Sequence, residues 1–278
     1  MHFIDELRAR RPDRPIVHYT SLPAFLEIVR TKTLWASKIQ YLNDEQDFRY
    51  AGEITKQYID SIKKNLDPSE GAFLELISRR LSGLKNVNVY VASFSEQDDL
   101  LSQWRGYCQP GKGINIGFTF DDLEEPLSRQ PFSLMPCVYD GREQARIVRE
   151  LVGQFLEEFR QSPALGGEHL LGRFALFFTT VAPVLKHEKF AEEAEWRLVS
   201  NVLDIRHFDL SYHAGHSTII PHFNFRLALD GEELRLGPIR LGPTPHVELA
   251  MAAVSDVLSI EKVRYASVGR SFVPYRSW

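Results

Sequence analysis

Three short segments combine a charged or titratable side chain with an aromatic one where an apolar run begins or ends: His18-Tyr19, Trp104-Arg105-Gly106-Tyr107 and Glu195-Trp196-Arg197. Glutamate and arginine resist burial unless paired. An acid followed by Trp-Arg at the head of a strand therefore implies either an ion pair joining two segments or a ligand. His18 has two roles open to it, a hydrogen-bonded core histidine or a group in a binding site. Trp104 and Tyr107 lie three apart, neighbours on a helix surface, and fit core packing as well as a binding face. Three clusters of the same style point to one shared site.

Other chemistry-bearing residues carry weaker patterns. His213-x-x-His216 has the spacing of two metal ligands, but Ala214-Gly215 between them reads as a solvated loop. Asn43-Asp44-Glu45 with Asp47 matches no EF-hand spacing and reads as a helix N-cap whose acids complement the dipole. Cys108 follows Arg105 and Tyr107, but no histidine is identifiable as its partner for nucleophilic work. Lys112 in Gly111-Lys112-Gly113 reads as a hairpin turn rather than a phosphate cradle, because the Walker spacing is missing. No Gly-x-Ser-x-Gly, dinucleotide-binding glycine fingerprint or zinc finger is present.

The elements that must position these groups follow from periodicity. Ile16-Val17 leads a strand that ends at His18-Tyr19, and Thr20-Ser21 with Pro23 marks the start of a helix over 22–30. Strands are expected at 34–37, 87–94, 113–120, 136–139, 195–199, within 234–241 and at 262–266. A short helix over 100–107 separates two of them, and a further helix covers 247–258. Helical insertions are expected at about 47–84 and 142–190. With no repeat and no low-complexity linker, residues 1–278 read as one α+β domain, a mixed or antiparallel β core with helices inserted between strands.

Composition narrows the class. Lys+Arg 33 against Asp+Glu 37 leaves a formal charge of -4, which gives no electrostatic signature of nucleic-acid binding. Two cysteines, Cys108 and Cys137, are too few for a disulfide framework. The apolar stretch Phe174 to Leu185 is interrupted by threonines and Pro183 and is too short to span a bilayer, and the start of the chain is charged rather than signal-like. The expectation is a cytoplasmic bacterial protein without membrane contact.

A series of motifs runs in order through the chain: His18-Tyr19-Thr20-Ser21, Leu34-Trp35-Ala36-Ser37, Leu42-Asn43-Asp44, Ser93-Phe94-Ser95-Glu96, Trp104-Arg105-Gly106-Tyr107, Gly111-Lys112-Gly113, Val138-Tyr139-Asp140, Glu195-Trp196-Arg197 and Val273-Pro274-Tyr275-Arg276. This series, from about residue 16 to 276, resembles the bacterial domain of unknown function family numbered 2971. A strand ending in His, a hydroxyl-capped helix, a short Trp-x-Ser segment and a late strand-borne Glu are also similar to the ADP-ribosyltransferase superfamily.

The second resemblance implies an ADP-ribosyltransferase-like fold and NAD as substrate. His18 would contact a ribose, Ser37 or Ser93 would pack near the nicotinamide, and Glu195 would promote loss of nicotinamide; His18 and Glu195 form the catalytic pair. The nicotinamide–ribose bond breaks through an oxocarbenium-like centre that a carboxylate stabilises. Arg105, with Arg197 or Arg276, would hold the pyrophosphate. Trp35 or Trp104 would stack on a ring, with Tyr19, Thr20 and Tyr107 completing the set. The implied function is an NAD-dependent ADP-ribosyltransferase or glycohydrolase in phage defence or a toxin system, with a protein, a nucleic acid or water as acceptor. The alternatives are a non-catalytic nucleotide- or RNA-binding module and a structural protein whose clusters are ion pairs.

Overall fold

The computed structural model describes residues 2–41, 45–84, 86–108, 113–162, 167–215 and 217–274, and of residues 45–47 the backbone alone. In chain order the elements are α1 (His2–Ala9), β1 (Ile16–Ser21), α2 (Leu22–Thr31), β2 (Thr33–Lys38), α3 (Glu45–Ile62), α4 (Pro68–Gly83), β3 (Tyr90–Ser95), α5 (Leu101–Tyr107), β4 (Gly113–Phe118), α6 (Phe120–Arg129) and β5 (Phe132–Pro136). They continue with α7 (Gly141–Gln161), α8 (Gly167–Val181), β6 (Glu195–Ser200), β7 (Leu210–Ala214), β8 (Ile219–Arg226), β9 (Arg235–Leu241), α9 (Val247–Ile260) and β10 (Arg264–Arg270). This is a mixed α+β arrangement with a mostly antiparallel sheet. Among the described residues no helix is long and apolar enough to cross a membrane.

The strands run β10-β9-β4-β1-β3-β2-β8-β7, with β6 and β5 branching from β3. One edge of β3 is fully occupied by β6, from Val91↔Val199 to Ser95↔Glu195. Its other edge is shared. Tyr90 and Val91 pair with Lys38 and Ser37 of β2, and Ser95 pairs with Val17 of β1. Among the described residues no ladder joins β1 to β2, so the sheet divides above the middle of β3.

Two apolar cores pack against opposite faces of this sheet. Val91, Met135 and Val199 meet the helical side formed by α1, α3, α4, α7 and α8. Tyr90, Ala92, Phe94, Trp196 and Leu198 meet α2, α6 and α9. Alternation along β3 and β6 sends successive side chains to the two cores, which is the period of a pleated strand. Caps fix the entries: Ser21 Oγ accepts from Ala24 N of α2, Asp67 and Glu70 form a reciprocal capping box on α4, and Thr119 and Asp122 do the same on α6.

Three departures from the sequence reading have local causes. The strand expected at 136–139 lies at 132–136, because proline at 136 has no N–H to continue the ladder and Val138 makes only an isolated bridge to Leu185. The segment around His213, expected as a solvated loop, is the hairpin of β7 and β8; Phe223 and Phe225 alternate with His222, Asn224 and Arg226, a period-two pattern hidden by the clustering of histidines. Helices α1 and α6 were not anticipated.

Candidate functional site

The division between β1 and β2 opens a two-lobed cleft. The inner lobe, about 170 Å³, is lined by His18, Ser93, Gln103, Tyr107 and Glu195 among others. The outer lobe, about 270 Å³, reaches Thr20, Ser21, Glu27 and His213. His18, Tyr19, Trp35, Ser37 and Tyr107 line both. No lysine or arginine lines either lobe among the described residues. A separate hollow of about 210 Å³ contains Arg129, Asp209, Arg226 and Glu232, but these are joined as Arg129–Glu232 at 3.1 Å and Arg226–Asp209 at 2.8 Å.

The tautomer of His18 is set by the sheet. Its Nδ1 lies 2.9 Å from the carbonyl oxygen of Ser93. A carbonyl only accepts, so Nδ1 carries the proton and Nε2 is an acceptor. Burial pushes the His18 pKa below its ordinary 6.5 against the opposing effect of the Ser93 bond, which keeps the ring neutral at neutral pH. Ser93 and Ser37 are half-buried and neither hydroxyl makes a hydrogen bond among the described residues. The cleft thus presents one imidazole acceptor and two hydroxyls.

Tyr19 has a different task. Its hydroxyl donates to the Gln97 carbonyl at 2.6 Å and accepts from Leu100 N at 3.0 Å, tying the β3–α5 connection to β1. Burial raises its pKa well above the ordinary value of 10.0. Trp104 packs edge-on against Tyr19 with centroids 4.7 Å apart and donates from Nε1 to Asp99 at 2.8 Å. It is 3% exposed and lines neither lobe, so it is a core aromatic rather than a stacking surface. On α5 the cleft-facing pair is instead Gln103 and Tyr107, four residues apart. Arg105 is exposed and lines neither lobe. Thr20 is buried and its carbonyl accepts from Cys108 Sγ at 3.3 Å; burial raises the Cys108 thiol to about 11, which argues against a thiolate nucleophile there.

Glu195 stands at the inner end within a buried ion cluster. Its Oε1 accepts from Arg197 Nε at 2.8 Å, and its Oε2 accepts from Lys186 Nζ at 2.7 Å and Arg197 Nη2 at 3.0 Å. Burial works to raise its pKa, but Arg197 and Lys186 overcome that and hold the carboxyl below the usual range. Lys186 and Arg197 are 0% and 1% exposed. Arg197 also donates to the Pro183 carbonyl at 2.5 Å, so it braces Glu195 from below the cleft and does not reach a ligand phosphate in it.

Trp35, 36% exposed, is stacked by His213 and His222 at centroid distances of 4.7 and 4.4 Å. The two imidazoles share an Nδ1–Nδ1 contact of 3.0 Å, and burial, aided by His213, lowers His222 to about 4. Among the described residues no three His, Cys, Asp or Glu side chains gather as metal ligands.

Of the sequence-derived candidates, His18, Tyr19, Trp35, Ser37, Ser93, Tyr107 and Glu195 meet in the cleft, with Thr20 at its outer lobe. Trp104, Arg105 and Arg197 stand outside its lining. Arg276, Lys112, Asn43, Asp44 and His216 lie outside the described residues. Sequence reasoning missed Gln103, Lys186 and His222. Gln103 sits one turn before Tyr107, and Lys186 is the first charge after the apolar run 174–185; both positions were available as signals.

No curated protein and no solved structure matches the chain. Residues 103–198, from the cleft face of α5 through the ion cluster of β6, match the family model described as Protein of unknown function (DUF2971), and this is the family to which that part of the chain is similar.

Proposed function

We propose that the cleft between β1 and β2 binds NAD as a substrate and that the protein cleaves its nicotinamide–ribose bond, in the manner of the ADP-ribosyltransferase fold. The observation that carries this reading is the meeting of His18, Ser37, Ser93 and Glu195 in one lobe. The open Nε2 of His18 accepts a hydrogen bond from a ribose hydroxyl. As the glycosidic bond lengthens, nicotinamide leaves with the bonding electron pair and positive charge develops at the ribose carbon. The ionised Glu195 stabilises that charge. An acceptor hydroxyl or water then attacks the same carbon and releases its proton. Ser21 and Ala24 bring the N-terminal end of α2 to the outer lobe, a favourable place for a phosphate, with Glu27 as an opposing charge.

The test is incubation of the protein with NAD and chromatographic detection of nicotinamide, alone and with protein or nucleic-acid acceptors. Nicotinamide is expected from the wild type and its rate should fall at least tenfold in His18→Ala. Its complete absence across all acceptors would refute turnover. A second reading, a nucleotide-binding module without chemistry, is favoured by the engagement of both Glu195 oxygens with Lys186 and Arg197. It predicts thermal stabilisation by NAD with no nicotinamide released.

A further inference from the structure

Two glutamine amides of this protein, buried Gln144 and half-buried Gln130, are engaged at both ends. Gln144 donates from Nε2 to the carbonyls of Val138 and Lys186, each at 2.7 Å, and its Oε1 accepts from Tyr50. Gln130 donates to the carbonyls of Pro126 and Arg226 and accepts from Arg226 N. Gln103 breaks this pattern. It is 7% exposed, lines the inner lobe, and its side chain makes no hydrogen bond among the described residues. A polar side chain on the wall of a lobe, with no hydrogen bond to the described protein, is placed to meet a ligand.

The surroundings place this amide within a ligand's reach. Gln103 shares the lobe with His18, Ser93 and Glu195, whereas its neighbour Trp104 is turned into the core and fixed there by Asp99 and Tyr19. The helix that carries it is anchored to β1 through the Tyr19 hydroxyl and the Leu100 amide. An amide side chain offers one donor group beside one acceptor in a plane, and its complement is a ligand edge with an acceptor beside an NH₂ donor.

We infer that Gln103 is a specificity-determining residue that reads a primary carboxamide of the bound ligand through paired hydrogen bonds, selecting the nicotinamide end of the substrate and rejecting its carboxylate counterpart. This rests on the nucleotide-binding reading of the same cleft. A carboxylate cannot donate to the amide oxygen, and its charge faces Glu195, so discrimination arises from both a lost bond and a like-charge contact. An adenine edge offers the same adjacent donor and acceptor, and the two sources are separable.

The experiment is isothermal titration of wild type and Gln103→Leu with nicotinamide mononucleotide, nicotinic acid mononucleotide, AMP and IMP, accompanied by thermal melts of both proteins without ligand. Wild type is expected to bind nicotinamide mononucleotide about tenfold or more tightly than its acid analogue, and Gln103→Leu should lose most of that preference. Gln103→Leu should also melt at or above the wild-type temperature, since it removes an amide that makes no hydrogen bond among the described residues. A preference for AMP over IMP that disappears in Gln103→Leu, with no amide-over-acid preference, overturns the carboxamide and assigns the residue to an adenine edge. Binding with the amide-over-acid preference intact in Gln103→Leu overturns the inference while leaving the cleft reading standing. A clearly lowered melting temperature shows that the amide has a structural partner and overturns it too. Wild type binding none of the four overturns the cleft reading and this inference with it.

Discussion

Replacing Glu195 by glutamine separates two roles that the geometry superimposes. The carboxylate is 4% exposed and takes hydrogen bonds from two cations that are 1% and 0% exposed, at 2.7 to 3.0 Å. Glutamine keeps the shape but removes the charge. Lys186 then retains Glu193, 2.5 Å away, and Arg197 retains the Pro183 carbonyl, but the carboxylate that both cations share is gone and the cluster loses one unit of negative charge. Breaking a buried pair in this way costs about 3–5 kcal/mol. For a chain of this length, at roughly 2–4 °C per kcal/mol, the melting temperature should fall by roughly 10 °C. Differential scanning calorimetry and urea unfolding followed by tryptophan fluorescence would measure it. Replacing the three residues by apolar ones, as in Lys186→Met/Glu195→Leu/Arg197→Met, should recover most of the loss, because both buried cations are removed with the carboxylate. A Glu195→Gln protein that melts within about 1 °C of wild type would refute the reasoning. Loss of nicotinamide release in this variant therefore indicates catalysis only when assayed well below its own melting temperature.

Two further outcomes follow from the same geometry. Stability should decline in two windows on acidification. His222, ordinarily 6.5 and lowered to about 4, leaves the unfolded chain binding the extra proton between those values; stability is complete above pH 6.5 and falls as pH drops toward 4. Glu195, ordinarily 4.5 and lowered to about 2, contributes stability present above 4.5 and lost as pH falls further. Urea midpoints across pH 3–8 would show both limbs, and His222→Phe should flatten the upper one; an unchanged upper limb would remove His222 from the account. Separately, Gly113→Ala places a Cβ 2.6 Å from Cys108 Cβ and 3.2 Å from Trp104, which should cost about 1–3 kcal/mol by overpacking; a urea midpoint equal to that of wild type would show that the Trp104 pocket yields.

What the sequence made legible was local. Ser21 and Pro23 announce α2 through capping and a fixed φ, the β-branched and aromatic run announces β3, and period-two alternation announces β4. The sequence also places His18 and Glu195 at strand ends, and both do line one lobe. Helix phase was less legible. Trp104 and Arg105 are conspicuous residue types, yet the cleft face of α5 belongs to Gln103 and Tyr107, and which side faces the sheet depends on the Tyr19 anchor 81 residues away from Leu100. The partners that define the chemistry are non-local. Ser93 fixes the His18 tautomer across 75 residues, and Lys186 meets Glu195 only because the 3-10 segment Glu188–Glu193 folds the chain back before β6. In the hairpin of β7 and β8 the clustering of histidines masks the alternation of Phe223 and Phe225 with polar residues.

The branching of β3 links these features. A strand has two hydrogen-bonding edges, and β3 gives one wholly to β6. Sharing the other between β2 and β1 leaves residues 92–94 facing the gap between them. The backbone there needs partners, and the Ser93 carbonyl finds one in His18 Nδ1. One bond thus closes the apex of the divided sheet and also leaves the opposite imidazole nitrogen as an acceptor inside the cleft. On the β6 side, the same register that places Ser95 opposite Glu195 puts Ser93 opposite Arg197, so the cation bracing the carboxylate lies beside the serine at the apex, on the same face of the sheet. The division of the sheet and the placement of its polar groups have one origin. Substitutions at Ser93 that move its carbonyl should therefore disturb His18 first and Glu195 second.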